Sequence, residues 1–142
     1  MINAIISAIS STLNSTFGDR YKVHMEDIKQ GLKEPCFFIT CLAPKKDQLV
    51  GQRWLRKNQF CIQYFPETRR KIRECNEVAE KLLDCLEYIT IPGEDRPIRG
   101  TKMSYEVADD MLHFFINYDL TTKKIPETIN MGDLSQNVKM KK

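Results

Sequence analysis

Pairs of neighbouring carboxylates are the first residues in this sequence with the chemistry of a general acid and a general base. Each pair falls at a predicted turn or strand end, where acidic residues are common because their side chains bond the local backbone and face water. We therefore interpret all of them as solvated turn residues. The pairs are Glu26-Asp27, Glu94-Asp95 and Asp109-Asp110.

Histidine and cysteine are the other reactive residue types. His24 and His113 lie far apart and have no second His or Cys at the short spacings of zinc sites. We interpret both as surface residues or as residues with internal hydrogen-bond partners. The cysteines lie within apolar runs and form no C-x-x-C pair, which predicts reduced core thiols rather than a disulfide framework. They are Cys36, Cys41, Cys61, Cys75 and Cys85.

Motifs of known catalytic chemistry complete this search. The sequence contains no G-x-S-x-G elbow, no H-E-x-x-H and no glycine-rich phosphate loop, and its 6 glycines are isolated. Together with the interpretation of the carboxylates, histidines and cysteines, this predicts a protein that is not an enzyme. We expect no cofactor and no metal.

Nucleic-acid binding is the remaining chemistry that the residue types suggest. Basic residues cluster between Lys45 and Arg73, with Trp54 among them, and such residues bind phosphates and stack on bases. The other interpretation is a solvated loop followed by a charged helix start, and it agrees with a formal net charge of only +3 over 142 residues. We favour the solvated loop and keep a nucleic-acid-binding adaptor that uses residues 45–73 as the alternative function.

Hydrophobic periodicity predicts two helices. The first covers about residues 3–16, because isoleucines recur at helical spacing from Ile2 and Gly18 follows as a stop signal. The second begins after Pro66 and ends before Pro92, with Ile72 in its apolar stripe. No apolar run reaches the roughly 20 residues of a membrane span, so we expect no membrane association.

Alternating polarity predicts strands at 21–26, 49–65, 101–107 and 112–120, and a run that is apolar on both faces predicts a fifth strand at 36–42, with a polar loop at 44–47. The stretch 49–65 is either one long strand or a ribbon interrupted near Lys57 and Asn58. The order α-β-β-β-α-β-β predicts an α+β fold, with a mostly antiparallel sheet and two helices packed on one face. We expect a single domain over residues 1–122. Hydrophobicity then falls, which predicts a C-terminal arm over residues 123–142 that cannot fold alone.

Two segments hold apolar residues that this core does not need. In the segment 49–57, Trp54 and Leu55 are flanked by arginines, a composition typical of protein interfaces, although a Trp folded back on the sheet fits equally. The sparse apolar residues of the arm suit a neighbouring subunit. The predicted interface residues are Leu49, Val50, Arg53, Trp54, Leu55, Arg56, Lys57, Ile125, Ile129, Met131 and Leu134.

Five strings of residues share a pattern with a known family. They are Glu34-Pro35-Cys36-Phe37-Phe38-Ile39, Arg53-Trp54-Leu55-Arg56, the run from Asn58 to Pro66, Arg99-Gly100-Thr101-Lys102-Met103, and Phe114-Phe115-Ile116-Asn117-Tyr118. With them the sequence resembles the phage tail terminator family of Gram-positive prophages over about residues 1–122. The strings are strand patterns rather than catalytic signatures, so the whole set carries the resemblance and no single motif does.

The resemblance implies a small sheet with two helices and a structural role. Subunits are then expected to form a ring, hexameric by the resemblance, that caps the tail tube, ends its polymerisation and offers a docking face. The implied partners are further copies of the chain, the tail tube protein, and a sheath or head-completion protein. Within such a particle the alternative function of the basic stretch 45–73 includes that of a head-tail connector. The implied location is the bacterial host cytoplasm during assembly, and then a virion or a phage-tail-like bacteriocin, with a contractile tail among the expectations.

Overall fold

The computed structural model describes residues 1–18, 21–25 and 35–123. The fold is α+β with two helices, as predicted. In chain order the elements are α1 (Ile2–Phe17), β1 (Lys22–His24), β2 (Cys36–Gln48), β3 (Arg53–Phe65), α2 (Lys71–Cys85), β4 (Tyr88–Ile89), β5 (Ile98–Arg99), β6 (Thr101–Ala108), β7 (Met111–Asn117) and β8 (Leu120–Lys123).

The main sheet has six strands instead of the expected five, and most of its pairings are antiparallel. Its order is β1-β2-β3-β7-β6, and β8 pairs with β3. The β3-β7, β3-β8 and β6-β7 pairings are antiparallel, whereas β1 pairs with β2 in parallel. Strands β4 and β5 form a separate two-stranded sheet.

The chain divides into two compact units. Of the described residues, the first unit contains those within Met1–Lys45 and Lys57–Asp119, and the second contains Lys46–Arg56 and Leu120–Lys123. The predicted boundary between a domain at 1–122 and an arm at 123–142 stays a prediction, because residues after 123 lie outside the described part.

The core of the first unit lies between the sheet and both helices. On β3 and β7, the pairs Phe60 with Ile116 and Ile62 with Phe114 lie directly opposite each other, so their buried side chains share one sheet face. α1 packs on this face through Ile5, Ile9 and Leu13, and α2 packs on it through Val78, Ala79 and Leu82.

Aromatic contacts show that the two helices lie on the same face. The ring of Phe17 in α1 lies 5.0 Å from that of Phe37, which lies 4.9 Å from that of Tyr64 in β3. The Tyr64 hydroxyl donates a hydrogen bond of 2.5 Å to the Glu74 carboxylate in α2. The expectation of two helices on one face is therefore correct.

The start of α2 differs from the expected one. The Glu74 carboxylate accepts hydrogen bonds from the backbone N–H groups of Glu67 and Thr68, at 3.0 and 2.9 Å, and so holds this segment as a turn. The helix therefore begins at Lys71. The prediction that Ile72 joins the apolar stripe is wrong, because its side chain is 63% exposed and the buried stripe begins at Cys75.

The polar segment 44–47 is part of a strand, so the predicted loop there is wrong. β2 continues through it to Gln48, and the turn follows at residues 49–52. Residues 43–48 are all exposed, so their polar composition reflects contact with water instead of a chain reversal. The turn uses Gly51, whose φ of 74° favours glycine.

The hairpin of β6 and β7 is confirmed. Asp109 and Asp110 form its two-residue turn with φ values of 53° and 58°, as a tight hairpin requires, so they are turn residues as interpreted. Glu94 and Asp95 are exposed between β4 and β5. Glu26 and Asp27 lie outside the described residues.

The predicted strand 112–120 is two strands, and Asn58 marks the break. Asn58 is fully buried; its Nδ2 donates to the Tyr118 carbonyl at 3.1 Å, and its own carbonyl accepts from the Tyr118 N–H at 2.9 Å. The Tyr118 hydroxyl donates to the Leu86 carbonyl at 2.6 Å. β3 begins at Arg53 and runs through Asn58 without interruption. The break therefore falls on the opposite strand, between β7 and β8.

Candidate functional site

The second unit holds six of the predicted interface residues, from Leu49 to Arg56, and a short antiparallel strand pairing organises it. Alternation along the paired strands places Trp54 and Arg56 on one face and Arg53 and Leu55 on the other. The pairs between β3 and β8 are Arg53 with Lys123, Trp54 with Thr122, Leu55 with Thr121 and Arg56 with Leu120.

The turn of this unit presents apolar side chains to water. The Leu49 N–H donates to the Arg53 carbonyl at 2.8 Å, which closes the turn. Val50 is 93% exposed and Leu49 is 39% exposed. An open depression of about 970 Å³ is lined by Gln48, Leu49, Val50 and Arg53. We call these four residues the turn surface; apolar groups beside an arginine are typical of a protein-binding surface.

The sequence left two alternatives open for Trp54, an exposed interface residue or a side chain folded back on the sheet, and the structure lies between them. It is half-buried, and the Lys46 Nζ lies 4.7 Å from the centre of its ring, a cation–π contact. Leu55 and Arg56 are half-buried as well. The most exposed apolar residue of this segment is Val50. The turn surface is therefore a better candidate for a protein contact than Trp54.

The other predicted interface residues are not part of this surface. Lys57 is exposed and belongs to the first unit, next to buried Asn58. The arm residues lie outside the described part of the chain, so their role stays a prediction; they are Ile125, Ile129, Met131 and Leu134.

Sequence reasoning missed Asn58, which fixes the chain where β3 and the β7-β8 connection face each other. A polar residue between Lys57 and Gln59 gives no periodic signal of burial. Its backbone N–H also lies 3.3 Å from the Asp119 Oδ1, which accepts a hydrogen bond from it. The burial of Asn58 could have been recognised only from its partner residues, about sixty positions later in the chain.

All five cysteines are reduced thiols, and the surroundings of Cys61, Cys75 and Cys85 favour the protonated form. Cys36, Cys61 and Cys75 are buried, and Cys41 and Cys85 are half-buried. Burial, with smaller contributions from the carboxylates of Glu74 and Asp110, raises the pKa of Cys75 to about 11. Burial also raises the pKa values of Cys61 and Cys85. These thiols have little thiolate at neutral pH, and thiolate is the nucleophilic form.

The histidines are placed as ordinary sheet residues. Both are half-buried, His24 in β1 and His113 in β7, and the His113 Nδ1 lies 3.4 Å from the Gln63 Nε2. In the described ranges, no group of three or more His, Cys, Asp or Glu side chains is arranged to hold a metal ion. Among the same residues, neither helix is long and apolar enough to cross a membrane.

Fold and surface together define a small α+β protein with an apolar turn surface suited to protein contacts. A family model described as "Phage tail terminator protein" matches residues 4–130. A comparison with curated proteins finds no match. Because the family match covers most of the chain, this protein belongs to the phage tail terminator family, a family of structural tail proteins.

Proposed function

We propose that this protein is a non-enzymatic subunit of a ring, expected to be hexameric, that caps the end of a tail tube and stops its polymerisation. The ring then offers a docking face to a sheath or head-completion protein. Assembly takes place in the bacterial host cytoplasm, and the finished ring is part of a virion or a phage-tail-like particle. Membership of the tail terminator family supports the tail and the structural role.

The exposure of Val50 is the observation that supports a contact between the turn surface and the tail tube or another subunit. Burying a valine side chain stabilises a contact by about 1.5–3 kcal/mol, and here that apolar surface faces water at the turn. Leu49 extends the apolar area, and Arg53 beside it supplies a guanidinium that can bind a carboxylate at the edge of an interface.

A matched pair of charged variants tests this contact. Val50→Asp places a carboxylate in the turn surface, whereas Gln52→Asp adds the same charge at an exposed neighbour outside the residues that line it. We expect Val50→Asp to abolish ring formation and tube capping, and Gln52→Asp to retain both. Mass photometry and electron microscopy of protein mixed with polymerising tube protein measure the outcome.

The mixture must contain tube protein, because a ring can require the tube as its template. A wild-type chain that stays monomeric and leaves tube length unchanged would contradict the proposed function. If Val50→Asp caps tubes as the wild type does, the turn surface is not the contact, and the capping function stands on other residues.

The alternative, a nucleic-acid-binding adaptor, has less support. Lys46 already covers one face of Trp54, the aromatic residue offered for base stacking. The basic residues of the stretch 45–73 also belong to different units: Arg53 and Arg56 to the second, and Arg69, Arg70 and Arg73 to the first. Binding to duplex DNA that weakens steeply with salt would revive this alternative.

A further inference from the structure

The exposed face of α2 carries charges of both signs, separated along its length. Basic side chains stand at its beginning and acidic side chains follow toward its end. Because residues three or four apart share one helix face, the charged residues from Arg73 to Asp84 form a continuous stripe opposite the buried residues from Cys75 to Leu82. Arg69 and Arg70 directly precede the first turn of the helix. We call Arg69, Arg70 and Arg73 the basic end, and Glu80 and Asp84 the acidic end, with Glu77 between them.

The basic end surrounds a concave surface. Arg69, Arg70 and Arg73 line an open depression of about 580 Å³ together with Thr68, Glu74 and Glu77. The carboxylate of Glu74 is already used within the subunit, because it accepts hydrogen bonds from the Tyr64 hydroxyl and from the N–H groups of Glu67 and Thr68. The guanidinium groups therefore dominate the charge of this depression.

This charge order opposes the stability of the isolated helix. A helix dipole favours acidic residues in the first turn and basic residues in the last turn. Glu74 in the first turn of α2 fits this preference, but Lys71 and Arg73 beside it do not, and the last turn has no basic residue. Glu80 and Asp84 are also a like-charge pair four residues apart, which destabilises a helix. Such an arrangement suggests that the charges serve a contact outside the subunit.

Contacts within the subunit account for little of the stripe. Arg73 Nε and Glu77 Oε1 lie 3.4 Å apart, but the two side chains are 69% and 67% exposed, so water screens the pair. Lys81, the nearest cation to the acidic end in sequence, places its Nζ 5.6 Å from the ring centre of Phe17 in α1. Among the described residues, no ion pair involves Arg69, Arg70, Glu80 or Asp84.

The two ends are far enough apart to act as separate binding patches. Fourteen residues from Arg70 to Asp84 correspond to about 21 Å of helix, which exceeds a Debye length of about 8 Å. A closed ring of identical subunits is built from contacts in which one patch of a copy meets a different patch of the next copy. Two patches of opposite sign on one rigid helix meet that requirement.

We propose that the basic end of α2 in one copy binds the acidic end of α2 in the next copy of this chain. The proposal rests on the ring of the proposed function and names a second set of residues for its subunit contact. A protein partner fits better than DNA, because Glu77, Glu80 and Asp84 continue the same face and would repel a phosphate backbone.

Charge exchange between the two ends tests the proposal. Arg69→Glu with Arg70→Glu makes both ends acidic, and Glu80→Lys with Asp84→Lys makes both ends basic. Each double variant alone should associate at least tenfold more weakly than the wild type. An equimolar mixture of the two should recover association in alternating order. The reversed basic end of one variant then meets the reversed acidic end of the other, and at the next contact the two unreversed ends meet.

The matched control is Arg96→Glu with Arg99→Glu, which makes the same charge change at two exposed arginines of the same unit. We expect it to associate as the wild type does. Sedimentation velocity of the full chain, with and without tube protein, measures association. Circular dichroism checks folding, which both stripe reversals should leave intact because they place each sign at the end of the helix that its dipole favours.

A second measurement uses the wild-type chain alone and does not depend on any variant folding. Raising the salt concentration from about 50 mM to about 500 mM should weaken association at least tenfold, since charge contacts are screened. Four results would each overturn the proposal. They are association that does not depend on salt, an equal loss of association in the control variant, a mixture that stays unassociated, and association that stops at a two-fold symmetric dimer. Binding of duplex DNA at the basic end without self-association would overturn it as well.

The two proposals fail in different ways. If the wild type associates and the mixed variants recover association, but no tube is capped, the contact between helix ends stands and the capping function falls. If the wild type caps tubes and both stripe variants cap them equally well, the capping function stands and the contact falls.

Discussion

The two units of this protein place their apolar side chains in opposite environments. In the first unit, Phe60, Phe114 and Ile116 are fully buried between the sheet and the helices. In the second unit, Val50 is almost fully exposed at the turn and Trp54 is half-buried beside Lys46. Burial in the first unit stabilises the fold, and exposed apolar surface in the second leaves binding energy available for a partner.

The largest expected effect comes from deleting a core ring of the first unit. Phe114→Ala removes a fully buried side chain at the centre of β7 and should lower the free energy of unfolding by about 3–5 kcal/mol. Val50→Ala in the second unit should change it by less than about 0.5 kcal/mol. Denaturant unfolding followed by circular dichroism compares them, and similar losses would break the distinction between the units.

Glycines in the two units should respond to substitution for different reasons. A Cβ at Gly100 would lie 2.9 Å from the Leu86 carbonyl oxygen and against the Ile116 side chain, so Gly100→Ala should cost about 1–3 kcal/mol by overpacking. At Gly51 the added atom meets only open space, and the cost of about 1–2 kcal/mol comes from the positive φ.

Asparagine separates these two causes, because it tolerates a left-handed backbone conformation but is larger than alanine. Gly51→Asn should therefore be less destabilising than Gly51→Ala, whereas Gly100→Asn should be more destabilising than Gly100→Ala. Thermal unfolding of the four variants measures this order. If the alanine and asparagine variants ranked in the same order of stability at both positions, steric crowding would not be what distinguishes Gly100 from Gly51.

Alkaline pH should affect the first unit through its buried thiol and phenol groups. Burial raises the pKa of Cys75 from 9.0 to about 11, and burial raises the pKa values of Tyr64 and Tyr118, with the Glu74 carboxylate as the next contribution at Tyr64. Above about pH 9 the unfolded chain loses these protons first, so the free energy of unfolding falls as pH rises, by up to about 1.4 kcal/mol per pH unit for each group.

Two spectroscopic signals follow the unfolding of the two units separately. Trp54 lies in the second unit, so its fluorescence follows that unit, while far-ultraviolet circular dichroism follows the helices of the first. We expect unfolding in denaturant to shift to lower concentration from pH 8 to pH 10 in the circular dichroism signal. A stability that stays constant over this range would contradict the assignment of these groups as buried and protonated.

Local patterns in the sequence were sufficient for most elements of the fold. Isoleucines at helical spacing placed α1 to within about one residue at each end, and alternation over 101–107 and 112–120 placed the hairpin of β6 and β7. The candidate interface was partly predictable as well, because the unusual apolar content at Leu49 and Val50 is visible without any knowledge of contacts. The polarity of residues 44–47 was misleading, since exposed strands and loops have similar compositions.

The sequence by itself determined the two helices, the alternation of the strands and the excess of apolar residues at the turn, because each is a property of neighbouring positions. Only the tertiary structure decided that β8 pairs with the beginning of β3, that Asn58 is buried against Tyr118, and that Lys46 covers Trp54. Those outcomes depend on which distant segments meet, and a local pattern of polarity does not specify the partner. The same reason applies to α2: its charges could be read from the sequence, but their position on one exposed face, with Glu74 held inside the fold, required the packed helix.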